Sequence, residues 1–70
     1  MKEFMMIGLR KIEGVKISEF ERKFWINPLF YFRFEISILT DEDLIEVDLD
    51  NIKLTKKGLD FANLVFEKFI

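Results

Sequence analysis

The chain has 70 residues, half of them apolar and 16% aromatic, with no Cys and no His, and its 11 basic and 13 acidic side chains leave a net charge of −2. That inventory excludes disulfide staples, zinc sites built on Cys or His, and histidine or thiol catalysis, and its sign is opposite to that of a nucleic-acid footprint. One core of this size yields about 3 to 5 kcal/mol of stability, so residues 1–70 read as a single small domain whose aromatic side chains supply the buried area.

Lys2 to Ile12 is predicted as a first helix, with Phe4, Met5, Gly8, Leu9 and Ile12 on one arc and Lys2, Arg10, Lys11 and Glu13 outside it. Gly14 stops it. Ile7 lies off the arc, either as an unremarkable exposed side chain or as a contact for something outside this chain. Glu3 and Arg10 bracket too few uncharged residues for a signal-peptide core. No charge-free run approaches the roughly 18 apolar residues of a membrane span, so the expected setting is soluble and cytoplasmic.

Val15, Lys16 and Ile17 suit a short strand. Ser18 and Glu21 have the spacing of a capping box, which predicts a second helix ending near Phe24 and Trp25, with Ile17 and Phe20 to Phe24 supplying its buried side. Asn27 then caps, and Pro28 starts, a central helix running to Leu39. Its apolar residues fall into two stripes: Leu29, Phe32, Ile36 and Leu39 at core spacing, and Phe30, Tyr31, Phe34 and Ile38 elsewhere on the cylinder. A domain this small can cover one stripe but hardly both. The second stripe, together with Ile7, is the candidate contact surface for a partner.

Leu44 to Val47 and Ile52 to Leu54 are predicted strands joined by the polar turn Asp48 to Asn51. Thr55 caps a last helix in which Leu59, Ala62, Phe66 and Phe69 form the core stripe, while Lys56, Lys57, Asp60, Glu67 and Lys68 face out. Helix, short strand, helix, helix, β-hairpin wing and C-terminal helix make a mainly helical α+β, winged-helix-like domain. In DNA-binding members of that fold the third helix enters the major groove. Here that helix carries Arg33 as its one cation, and the wing region holds Lys53 among Asp41, Glu42, Asp43, Glu46, Asp48 and Asp50, a surface that would repel phosphate.

Chemistry-bearing patterns are weak. Asp48-x-Asp50 begins like a calcium loop, but the Gly the loop requires is missing and its twelfth position would be Leu59. Ser18 and Ser37 have no base adjacent in sequence. Asn63, set among apolar neighbours, is expected to bond a nearby loop backbone, and Trp25 and Tyr31 are expected as core aromatics rather than a stacking platform.

Three segments, EFMMIGLRKIEGVKISEFERKF (Glu3 to Phe24), DLIEVD (Asp43 to Asp48) and LTKKGLDFANLVFEKFI (Leu54 to Ile70), together resemble the C-terminal domain of the oxygen-independent coproporphyrinogen III oxidase family. The wording is nearer to its heme-binding, heme-delivering relatives than to the oxidases. The resemblance covers nearly the whole chain and implies the tail of a longer radical S-adenosylmethionine protein. In that family a preceding barrel carries the cysteine motif for a [4Fe-4S] cluster that cleaves S-adenosylmethionine, and the small domain packs against the barrel on the substrate side. No catalytic, cofactor-binding or metal-binding residue carries over to this chain. The implied partner is the N-terminal barrel, with self-association when the domain is isolated and porphyrin or heme only in the intact protein. Direct heme ligation here would fall to Met5, Met6 or Tyr31, a poor set. Two positions depart from the family pattern: Trp25 stands where Gly is frequent, and Asp43 stands where Gly commonly precedes the first wing strand.

Overall fold

A computed structural model describes residues 1–70. The elements are α1 (Lys2–Leu9), β1 (Val15–Lys16), α2 (Ile17–Phe24), α3 (Pro28–Tyr31), α4 (Arg33–Asp41), β2 (Ile45–Val47), β3 (Asn51–Leu54), α5 (Lys56–Asp60) and α6 (Ala62–Glu67). The expected order is present, with the third and last helices each split in two. The three strands form one antiparallel sheet in the order β1-β3-β2, Val15 opposite Ile52 and Ile45 opposite Leu54. No helix is long and apolar enough to cross a membrane.

The core is a continuous apolar cluster. Met5 and Leu9 of α1, Val15, Phe20, Phe32, Ile36, Leu39, Ile45, Ile52, Val65 and Phe69 are all buried. Its axis is a relay of rings meeting edge to face: Phe4 with Phe20 at 5.7 Å between centroids, Phe20 with Phe32 at 6.1 Å, and Phe32 with Phe69 at 5.2 Å. Each such pair adds about 0.5–1.5 kcal/mol beyond area burial, so the relay ties α1, α2, the α3–α4 junction and the C-terminal turn together. Gly14 turns the chain into β1 at φ +74°, and a Cβ there would fall on the Ile52 carbonyl.

Several expected details change. The first helix ends at Leu9 rather than Ile12, so Ile12 is exposed in the following turn instead of joining the core. Ile17 opens α2 rather than closing β1. Ser18 and Glu21 form no capping box. The N-cap is Lys16, which has no side-chain acceptor, and the orphan donors are met from the hairpin turn. The Ile17 amide donates to the Asp50 carbonyl at 2.8 Å, the Ser18 amide to Asp50 Oδ1 at 2.9 Å, and Ser18 Oγ to Asp50 Oδ2 at 2.7 Å. Hydrogen bonding from the Ser18 hydroxyl, opposed by some desolvation, holds the Asp50 carboxyl below its ordinary value. By contrast, Asn27 caps α3 as expected, accepting from the Leu29 amide at 2.7 Å, and Thr55 caps α5 through the Gly58 amide at 3.0 Å.

Each split falls at one residue with non-helical backbone. At Phe32 (φ −105°, ψ 31°) the backbone leaves helical geometry, and the Phe30 carbonyl accepts from Arg33 Nη1 at 3.0 Å. At Phe61 (φ −118°, ψ 37°) the last helix turns in the same way. Beyond the break Val65 and Phe69 are in the core and Ala62 and Phe66 only partly covered, while Leu59, before the break and expected in the core, is exposed.

Trp25 and Asp43 are the two non-glycine residues with positive φ, at 62° and 60°. Trp25 directly follows α2, and Asp43 lies two positions past the end of α4. Trp25 donates its amide to the Glu21 carbonyl at 2.8 Å, the single-bond left-handed cap; Leu44 to Leu39 at 2.9 Å with Asp43 to Thr40 at 3.0 Å make a Schellman cap. Glycine is favoured at such positions because it lacks the Cβ that collides there. The two positions at which the resemblance leads one to expect Gly are therefore the two strained caps.

Two outcomes follow. Trp25→Gly, which removes an exposed side chain from a left-handed cap, raises unfolding stability by about 1 kcal/mol, read as a higher urea midpoint; a lower midpoint would show that the indole contributes packing. Because the Asp50 carboxyl is held low in the folded state, the stability it supplies is present above its unfolded value and is lost as pH falls through the folded one. Asp50→Ala accordingly lowers the thermal midpoint at pH 7, and the gap to the parent chain narrows below about pH 4. A gap independent of pH would remove the carboxylate from the explanation.

Candidate functional site

Pro28 and Asn27 launch α3, Phe32 anchors the junction, and α4 continues with Ile36 and Leu39 buried beneath it. With one side of the segment in the core, the other is open. Phe30, Tyr31, Phe34 and Ile38 are 60%, 45%, 69% and 44% exposed, well beyond the isolated exposed apolar residue that needs no account. Ile7, on α1, is also exposed.

Arg33 organises the polar side of this face. Its guanidinium carbon lies 4.8 Å from the centroids of both Phe30 and Phe34, a double cation–π arrangement, while Nη1 holds the Phe30 carbonyl. No carboxylate of the chain pairs with it; the ion pairs present are those of Lys53 with Glu46 and Asp48, both on the hairpin. The other half-covered rings have cations of their own, Lys23 over Phe4 and Phe24 and Arg10 over Phe66.

The face is not a ligand pocket. Five surface cavities exist, and none is lined by Phe30, Tyr31, Arg33, Phe34 or Ile38. Small-molecule sites are concave and enclose most of their ligand, whereas open apolar surface with an aromatic and Arg content suits a protein contact. Of the three residues considered for heme ligation, Met5 is fully buried in the core and has no access to a ligand, Met6 is partly buried, and Tyr31 is accessible with its ring edge on Phe32 at 4.9 Å.

Three side chains lie elsewhere than expected. Trp25, expected in the core, is 91% exposed because its left-handed backbone projects the indole off the end of α2. Tyr31 lies on the open stripe where its spacing puts it, and not in the core as its aromatic ring suggests. Asn63 is exposed and makes no hydrogen bond to a loop, which in water it does not need. Leu59, Phe61 and Leu64 form a second exposed apolar group at the α5–α6 break, which a single continuous stripe through residues 59–69 does not predict. The i, i+3 pair Phe61 and Leu64, outside that stripe, was the available signal.

Residues 1–61 match the family model of the HemN C-terminal domain. Over its full 70 residues the chain is 37% identical to the heme chaperone HemW of Lactococcus lactis subsp. lactis (strain IL1403), and it spans 18% of that relative's length. No solved structure matches it significantly. The chain belongs to the HemN C-terminal domain family.

The two stripes of the central segment differ in what truncation does. Phe32→Ala removes a ring wedged among Phe20, Tyr31 and Phe69 and costs about 3–5 kcal/mol, enough to unfold the isolated domain. Phe34→Ala changes stability by less than about 0.5 kcal/mol while reducing hydrophobic-dye binding and self-association of the isolated chain. If Phe34→Ala left both of those readouts unchanged, the open face would not be adhesive.

Proposed function

We propose that this chain is a non-catalytic accessory domain of a longer HemN-like protein, and that Phe30, Tyr31, Phe34 and Ile38, with Ile7 as a further contact, pack it against the domain that precedes it. The observation that carries the reading is an open apolar face on consecutive turns of α3 and α4, in a chain that spans 18% of its relative's length. A domain with marginal stability gains from covering such a face. Leaving it in water forgoes roughly 25 cal/mol per Å² of apolar surface.

The longer protein would be a cytoplasmic member of the coproporphyrinogen-oxidase and heme-chaperone group, with porphyrin or heme handled only by the intact molecule. Its [4Fe-4S] cluster and S-adenosylmethionine would belong to the preceding barrel. The 70 residues include no Cys and no His, so they do not fit as ligands of such a cluster. Heme contact by this domain alone is disfavoured by the lack of a cavity on the open face and the burial of Met5. Nucleic acid is disfavoured as a partner because α4 carries one cation, Arg33, and the hairpin is acidic.

Hydroxyl-radical footprinting tests the docking. In the isolated chain Phe30, Tyr31 and Phe34 are expected to oxidise readily; in the polypeptide from the whole encoding reading frame they are expected to be protected, while Trp25 serves as an internal reference for a side chain outside the contact. Equal oxidation of Phe34 in the two, or a reading frame with no upstream domain, would overturn the reading.

A further inference from the structure

We propose that the surface covering the open face, a segment of the preceding domain, presents an Asp or Glu carboxylate to Arg33, and that this one ion pair sets the register of docking. The inference rests on the docking reading and adds the partner's chemistry to it. Arg33 has five N–H donors in a planar fork, one of its nitrogens donates to the Phe30 carbonyl, and none meets a carboxylate within the chain. It sits 4.8 Å from the rings of both Phe30 and Phe34, so no partner can cover those rings without also desolvating the guanidinium. A buried charge left unpaired is strongly unfavourable, and a wholly apolar partner surface would therefore be rejected.

Charge complementarity selects the occupant's sign. Arg33 is the one charged side chain seated against the exposed rings of Phe30 and Phe34, and the nearest acid in sequence, Glu35, forms no ion pair with it. The rings hold the guanidinium in place before docking, so its remaining donors are already oriented for a bidentate acceptor. A second copy of this chain is a weaker occupant. Antiparallel two-fold packing across Phe34 places like-numbered flanking residues side by side, Arg33 beside Arg33 and Glu35 beside Glu35, which is repulsive.

The test uses the polypeptide from the whole reading frame. In an Arg33→Lys variant treated with a carbodiimide, a zero-length cross-link is expected from position 33 to an Asp or Glu of the preceding domain, identified by mass spectrometry. Arg33→Glu is expected to abolish the protection of Phe34 from radical oxidation, raising its rate to that of the isolated chain, with the fold confirmed by circular dichroism. Wild-type protection that persists in Arg33→Glu, a position-33 cross-link confined to carboxylates of this domain, or cross-linking between two copies would each overturn the carboxylate assignment while leaving docking intact. An unprotected Phe34 in the wild-type protein would instead overturn docking, and the ion pair with it.

Discussion

The structure depends on where the Phe32 ring is held. It is nearly inaccessible to solvent and meets Phe20, Tyr31 and Phe69 edge to face, so one side chain joins α2, the central segment and the C-terminal turn. With the ring pinned, the backbone at Phe32 departs from helical geometry and the Phe30 carbonyl turns to the Arg33 side chain. The same constraint that closes the core thus opens the helix and gives Arg33 a fixed seat between two exposed rings. Core and candidate contact face are two consequences of one packed residue.

Much of this was legible in the residues. The split of Pro28 to Leu39 into a core stripe and an open stripe followed from a 100° step per residue, and Phe32, Ile36 and Leu39 are buried where that step puts them. The caps at Asn27 and Thr55 were equally readable, because each depends on a side chain acting within two or three residues of itself. What escaped was nonlocal. The cap of α2 comes from Asp50, thirty-two positions from Ser18, and no spacing rule connects them. The helices break at Phe32 and Phe61, and a single period running through Phe61 wrongly predicts Leu59 in the core. Trp25 was misplaced because an aromatic side chain usually signals burial, whereas a left-handed helix cap controls its direction here.

Family membership gives those caps a further meaning. Trp25 and Asp43, the two positions at which the resemblance leads one to expect Gly, both adopt the conformation that Gly accommodates without strain. The backbone course is therefore set by hydrogen bonds at the helix ends and by the core beneath them, and the side chains tolerate it. At Asp43 the compensation is visible. Its carbonyl accepts from Thr55 Oγ1 at 2.6 Å, tying the end of α4 to the start of α5, while Leu44 and Leu39 bury the apolar contact of the Schellman cap. At Trp25 no comparable contact exists, so its strain is uncompensated within the chain.

Charge placement completes the account of the open face. Six of the thirteen acidic side chains, Asp41, Glu42, Asp43, Glu46, Asp48 and Asp50, lie on the hairpin and the end of α4, where the Lys53 pairs with Glu46 and Asp48 are long, solvated and worth little for stability. Their effect is on what can approach: phosphate and other acidic surfaces are turned away from that end of the domain. The central face has the opposite character, apolar with one positive group clamped by its neighbours. A third helix that in other domains of this element order reads a nucleic-acid groove is here unsuited to it, because affinity for phosphate requires several cations and this helix offers one. One clamped cation among aromatic rings is better matched to a single acceptor on a dry protein surface, where a lone ion pair counts for orientation.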